Sequence, residues 1–173
     1  MKPLFLVGYM GCGKSTIGRK IARRLGVPYV DTDALVEEVE GATVYDIFRY
    51  EGEERFRQLE REALERVIAS GAAVVATGGG LPMWQDNMTR MNEVGLTVYL
   101  RRSAENIASR LSPYGRQKRP RLRGLNDEEL VQFMRADMAS REAKYAEAAL
   151  ILDCEPMDDD TILEALVKAL KHA

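Results

Sequence analysis

Gly8-Tyr-Met-Gly-Cys-Gly-Lys14-Ser15 has the spacing G-x-x-x-x-G-K-[ST], which suits a polyphosphate. Glycines let the backbone turn tightly enough for its N–H groups to point into one concave nest. A helix starting at the same place adds unpaired N-terminal donors and the positive end of its dipole. Lys14 can then reach the β- and γ-phosphates, and the Ser15 hydroxyl can be placed on Mg²⁺. Gly11, Cys12, Gly13, Lys14, Ser15 and Thr16 are the expected contacts to ATP. Cys12 reads as a small filler within the loop.

Asp31-Thr32-Asp33 is the next candidate. Residues two apart on an extended segment face the same way, so both carboxylates can project from one strand end. Such a pair suits two tasks: holding Mg²⁺ through its water shell, and accepting a hydrogen bond from an attacking hydroxyl. Asp33 also reads as the N-cap of a helix over residues 34–40, which would explain Asp33 and leave Asp31 unexplained. Gly78-Gly79-Gly80 is costly to order. It suits either main-chain N–H groups that approach a ligand closely or a flexible strand–helix turn.

Three sets of arginines follow. Arg141 falls within the apolar stripe Leu130, Met134, Met138, Tyr145. An inward guanidinium needs a partner, and a carboxylate ligand, an internal salt bridge or a snorkelling side chain would each supply a reason. Arg57 flanks the stripe Phe56, Leu59, Ala63, Val67, with Glu53 and Glu60 at helical spacing to hold it, and on this pattern alone reads first as a surface arginine in a charge-laced helix. Arg116, Lys118, Arg119, Arg121 and Arg123 crowd the segment 113–124, which has no acid, two prolines and two glycines. It is expected to be an exposed mobile loop outside the core, and either a lid over a triphosphate or a solvated or RNA-binding patch. Arg110, just before it, can stack on an adenine face.

These groups need a frame. Leu4–Val7 is a continuous apolar run of buried-strand type, and Lys14–Leu25 is a helix closed by Gly26 and Pro28. Further strands are expected at 29–30, 73–76, 97–100 and 150–152. Further helices are expected at 53–70, 103–111, 126–145 and 158–171. Strands alternating with helices give an α/β fold with a parallel sheet covered on both faces. Ligands of such sheets sit beyond the carboxyl ends of the strands, where these motifs fall.

Composition narrows the chemistry. The chain has 173 residues, with 46% hydrophobic and 30% charged, which suits one globular domain able to bury a core without staples. A net charge of −2 gives no global attraction to nucleic acid or membrane. His172, the single histidine, lies next to the C-terminus and leaves no Ser-His or Cys-His pair in the interior. Cys12 and Cys154 have no metal-ligand spacing. No apolar run approaches the roughly 20 residues of a membrane span, and Pro3–Met10 runs into a Gly-Lys turn with no cleavage site. A cytoplasmic monomer without nucleic-acid or membrane partners is expected.

In order and spacing these motifs resemble the shikimate kinase family. The match covers nearly the whole chain: Gly8 to Arg19, Asp31-Thr-Asp33, Gly52-Glu-Glu-Arg-Phe-Arg57, Gly78-Gly-Gly80, Arg119-Pro120 and Arg141-x-x-x-Tyr145. The resemblance implies a P-loop fold of three layers with a five-stranded parallel sheet and a mobile lid at about 112–124, in a single kinase domain over 1–173. It also implies ATP-dependent phosphorylation of the shikimate 3-hydroxyl, with Mg²⁺ held by Ser15 and Asp31. Asp33, Arg57, Gly78, Gly79, Gly80 and Arg141 would bind shikimate, with the two arginines on its carboxylate. Lys14, Asp33 and Arg119 would form the catalytic set, and Arg110 would contact the nucleotide. The lid departs from the family's usual Arg-Pro-Leu-Leu, since Arg121 follows Arg119-Pro120, leaving open which arginine meets the γ-phosphate. A gluconate-type or nucleoside monophosphate kinase and a silent ligand-binding relative are the competing readings.

Overall fold

The computed structural model describes residues 1–71 and 73–172. Among these, five short runs form one sheet: β1 (Leu4–Val7), β2 (Tyr29–Asp31), β3 (Val74–Ala76), β4 (Leu96–Arg101) and β5 (Leu150–Asp153). Their order is β2-β3-β1-β4-β5, and every pairing is parallel. Every residue of β1 is fully buried, as expected of the central strand of a sheet flanked by helices. The register sets Leu6 beside Ala76, and Ala76 beside Asp31. The carboxyl ends of β1, β2 and β3 therefore finish together, and Gly8, Thr32 and Thr77 leave the sheet from one edge.

The helices are α1 (Lys14–Leu25), α2 (Thr32–Glu40), α3 (Val44–Ser70), α4 (Asn87–Val94), α5 (Ala104–Arg110), α6 (Pro113–Gln117), α7 (Asp127–Ala139), α8 (Glu142–Tyr145) and α9 (Asp159–Leu170), with 3₁₀ turns at Leu81–Met83 and Pro120–Leu122. The main apolar core packs around β1, β3 and β4. A smaller cluster of Val36, Ile47, Phe56, Leu59 and Ala63 joins α2 to α3 and carries Arg57 on its rim. None of the described helices is long and apolar enough to cross a membrane.

The helix expected over 53–70 is present: within α3 the backbone is non-helical at Gly52 (φ 85°, ψ 169°), and a separate helical run from Val44, capped by the Thr43 side chain, precedes it. Three local expectations are corrected. The helix expected over 126–145 is two helices. α7 opens with a capping box between Asn126 and Glu129, and the chain then breaks at Ser140 and Arg141, where Arg141 has φ −113°. The segment 113–124 is partly helical: Ser112 caps α6, with Pro113 at its first position. Leu122 from the following turn is 1% exposed in the main core, so the segment contributes one core residue. Finally, α2 begins at Thr32, and its N-cap is Asp31 rather than Asp33.

Candidate active site

The loop between β1 and α1 is shaped by glycine. Gly11 and Gly13 have φ of 78° and 105°, values that residues with a Cβ rarely adopt. Gly13 is the N-cap of α1 and has no side chain to occupy that helix end. Lys14, 9% exposed, donates from Nζ to the carbonyls of Gly8 at 2.7 Å and Tyr9 at 2.9 Å. The ammonium is thus held by the loop's own carbonyls. Cys12 is buried and free. Thr16 is exposed one residue further along. Arg110 overlooks the same helix end, with Nη2 3.6 Å from where a Cβ on Gly13 would stand.

Ser15 and Asp31 meet at this edge. The Ser15 hydroxyl donates to Asp31 Oδ2 at 3.1 Å. Asp31 Oδ1 accepts from the backbone N–H groups of Asp33 and Ala34 at 3.0 and 3.2 Å. One oxygen therefore fixes the start of α2 and the other faces Ser15. No cluster of three or more His, Cys, Asp or Glu groups able to hold a metal occurs among the described residues. A hydroxyl beside one carboxylate is the donor set expected where Mg²⁺ keeps its waters and takes further oxygens from phosphates.

With Asp31 serving as the cap, Asp33 is free of that task. Its Oδ1 is shielded from solvent and has no hydrogen-bond partner. Burial, then the neighbouring Asp31 charge, raises its pKa from 3.8 to about 6, with Lys14 and Arg57 acting against the rise. Glu60 approaches from α3 and is 1% exposed. Burial raises its pKa to about 7 despite the opposing charge of Arg57. Both carboxylates converge on Gly78: a Cβ there would lie 2.5 Å from Asp33 Oδ1 and 2.7 Å from Glu60 Oε1. A Cβ on Gly80 would run into the Arg57 guanidinium. Close approach of three side chains from α2 and α3 accounts for two glycines of the triplet. The Gly79 carbonyl accepts from Tyr145 Oη at 2.6 Å, which ties the triplet to α8.

The two arginines line one open cleft of about 500 Å³, together with Glu53, Glu54, Gly80, Met83 and Trp84. Arg57 donates to Glu60 Oε2 at 2.5 Å and is 3.5 Å from Glu53 Oε1. Arg141 lies 3.6 Å from Asp137 Oδ2 and over the Tyr9 ring at 5.6 Å from its centroid. Burial disfavours the Arg141 charge, but Tyr145, Asp137 and Tyr9 outweigh it and raise its pKa. Arg141 thus has an internal salt bridge and also faces the cleft.

In the basic segment, Arg119 differs from its neighbours. It donates from Nη1 to the Gly115 carbonyl at 2.7 Å, and burial alone lowers its pKa. Arg116 pairs with Asp127 at 2.6 Å, Arg121 lies 3.9 Å from Asp137, and Lys118 sits over Tyr114 at 4.5 Å.

Sequence reasoning missed several residues. Thr32 lies between the two expected aspartates, and its buried hydroxyl accepts from the Gly78 N–H at 2.9 Å, locking β2's exit to the triplet. Arg102 is 5% exposed and donates to the Cys12 carbonyl at 3.1 Å, bracing the phosphate loop from behind. Its place just after a buried strand at the ligand edge of the sheet was the available signal. Tyr9 and Asp137 had none, because their contact joins residues far apart in sequence.

A phosphate loop on a parallel sheet, with a cation-lined cleft beside it, defines a P-loop phosphotransferase. The structure of deoxyadenosine kinase from M. mycoides shares this fold, with a TM-score of 0.63 at 17% identity over 98% of this chain and 99% of that one. More narrowly, the chain belongs to the shikimate kinase family of ATP-dependent phosphotransferases, whose model, described as shikimate kinase, matches residues 10–171. The shikimate kinase of Bacteroides thetaiotaomicron is 39% identical over 172 residues, covering 99% of this chain and 98% of that one. That of Geobacter sulfurreducens is 44% identical over 168 residues, covering 96% and 90%. The structure of shikimate kinase from Acinetobacter baumannii in complex with shikimate superposes with a TM-score of 0.86 at 29% identity, covering 99% of this chain and 94% of that one.

Proposed function

We propose that this chain, as one cytoplasmic kinase domain, transfers the γ-phosphate of ATP to the 3-hydroxyl of shikimate, giving shikimate 3-phosphate and ADP. The observation that carries the reading is the cleft beside the phosphate loop. It brings Arg57 and Arg141 together from separate segments, next to an aspartate with an unpartnered, solvent-shielded oxygen. Planar guanidiniums suit a carboxylate, and an acceptor without a donor suits a hydroxyl.

In this reading Gly11 to Thr16 and Lys14 hold the triphosphate, and Arg110 stacks on the base. Gly80 lines the cleft, and Gly78 and Gly79 would let the main chain approach the ring beside it. Ser15 and Asp31 would hold Mg²⁺, which supplies charge neutralisation on the phosphates. Arg57 and Arg141 fix the acid by its carboxylate, leaving the hydroxyl side to Asp33. The hydroxyl oxygen forms a bond to the γ-phosphorus, the bond from that phosphorus to the ADP oxygen breaks, and Asp33 takes the hydroxyl proton. With a pKa near 6, Asp33 is ionised at neutral pH and still basic enough for that role. Lys14 and Arg119 meet the charge on the transferred group, and the basic segment closes as a lid that excludes water.

The test is an ADP-release assay with shikimate, quinate and gluconate side by side. Turnover with shikimate well above the other two supports the assignment. Equal turnover with gluconate, or ATP binding without turnover on any of the three, would remove it.

A further inference from the structure

Asp137 stands in the last turns of α7 with its side chain 14% exposed. Its Oδ2 accepts from Tyr9 Oη at 2.7 Å and lies 3.6 Å from Arg141 Nη2. Its Oδ1 lies 3.9 Å from Arg121 Nη2. A single carboxylate thus meets the phosphate loop, the acid cleft and the basic segment. The Arg121 guanidinium also rests over Phe133 of the same helix, 4.9 Å from the ring centroid.

We propose that Asp137 is a positioning residue that couples the basic segment to acid binding, and that Arg121 acts through it rather than on the phosphate. The proposal rests on the reading that Arg141 takes the substrate carboxylate. Two cations share one anion. While Arg121 draws on Asp137, part of that negative charge is neutralised, and Arg141 is freer to take an anionic ligand. Without the Arg121 charge, Arg141 is the one cation left on Asp137, which then competes more strongly with the substrate carboxylate. Arg119 contrasts with this. Among the described residues it has no carboxylate partner, and its lowered pKa reflects burial alone. Of the two lid arginines without a carboxylate partner among the described residues, Arg119 and the exposed Arg123, Arg119 is the half-buried one and the one assigned to a phosphate, and the departure at Arg121 then serves a different task.

Steady-state kinetics on Arg121→Leu, Asp137→Asn and the double variant test this, with shikimate and ATP varied separately. Asparagine keeps an oxygen for Tyr9 and removes the charge. A partly exposed ion pair is worth about two- to fivefold in affinity. Arg121→Leu should raise KM for shikimate by about that factor, with kcat and KM for ATP within about twofold of wild type. In the Asp137→Asn background the same substitution should change nothing. Arg121→Lys, which restores the charge, should return KM to the wild-type value and does not depend on how Asp137→Asn folds. An equal effect of Arg121→Leu in both backgrounds would overturn the coupling. So would a fall in kcat of about tenfold or more, which would put Arg121 on the phosphate. If wild-type protein fails to turn over shikimate, the assigned function falls first. If it turns over shikimate and Arg121→Leu leaves KM unmoved, only the coupling falls.

Discussion

In the proposed reading the phosphate loop draws its donors from one contiguous run, residues 8–15, whose shape is set by its glycines. In the neighbouring cleft they are guanidiniums from α3 and from the break between α7 and α8, each held by a carboxylate three or four residues away in the chain. The loop positions its groups by backbone torsions, so its glycines and its place between strand and helix nearly determine it. The cleft positions its groups by burial and ion pairing, so every arginine in it depends on a neighbour folding correctly. Damage to the phosphate side should therefore appear mainly in turnover, and damage to the acid side mainly in affinity.

The sharpest break of that contrast is Arg119→Ala. If this guanidinium meets the transferring phosphoryl group, kcat should fall by roughly 10³-fold, with KM for shikimate changed little. A fall of less than a few-fold would move the role to another group. Asp33→Asn comes next, with an expected loss of roughly 10²-fold or more in kcat at saturating shikimate, the scale of general-base catalysis. Near-normal turnover would reduce Asp33 to a binding group. The same assignment predicts that wild-type kcat/KM declines below about pH 6, as Asp33 takes up a proton and can no longer accept one. On the acid side, Arg141→Lys should raise KM for shikimate by roughly tenfold, because a bidentate fork becomes a point charge, while KM for ATP stays put. Unchanged shikimate affinity would remove Arg141 from the carboxylate.

The same contrast marks what was legible beforehand. All five strands can be read from short apolar runs, most directly β1 and β3, because a central parallel strand buried on both faces leaves that signature in sequence. The phosphate loop is equally plain, being local. Asp31 and Asp33 were recognisable as a pair, but their division of labour was not. Which of them caps α2 depends on where the helix begins, and it begins at Thr32. The break at Arg141 was hidden because the apolar spacing continues across it from Met138 to Tyr145. Glu60 could be seen only as a helical neighbour of Arg57. Its burial under Gly78 depends on β3 lying between β2 and β1, which no local pattern encodes.

Glu60 offers the smallest effect and the most specific check on how the cleft is held. Its pKa is raised from 4.5 to about 7, first by burial, with the Arg57 pair pulling the other way. A carboxyl whose pKa rises on folding binds protons more tightly when folded. Its stabilising contribution is complete below pH 4.5 and is lost as pH climbs through about 7. Ligand-free wild-type protein should therefore lose thermal stability between pH 5 and 8 relative to Glu60→Gln, which carries no charge to desolvate. A differential of about 5 °C corresponds to 1–2 kcal/mol in a chain of this size. Thermal unfolding of both proteins at pH 5, 6, 7 and 8 measures it. Parallel curves would mean that Arg57 fully offsets the burial of Glu60. The acid side would then be held by an ion pair as settled as the loop's own backbone, and the contrast between the two regions would narrow to one of sequence distance.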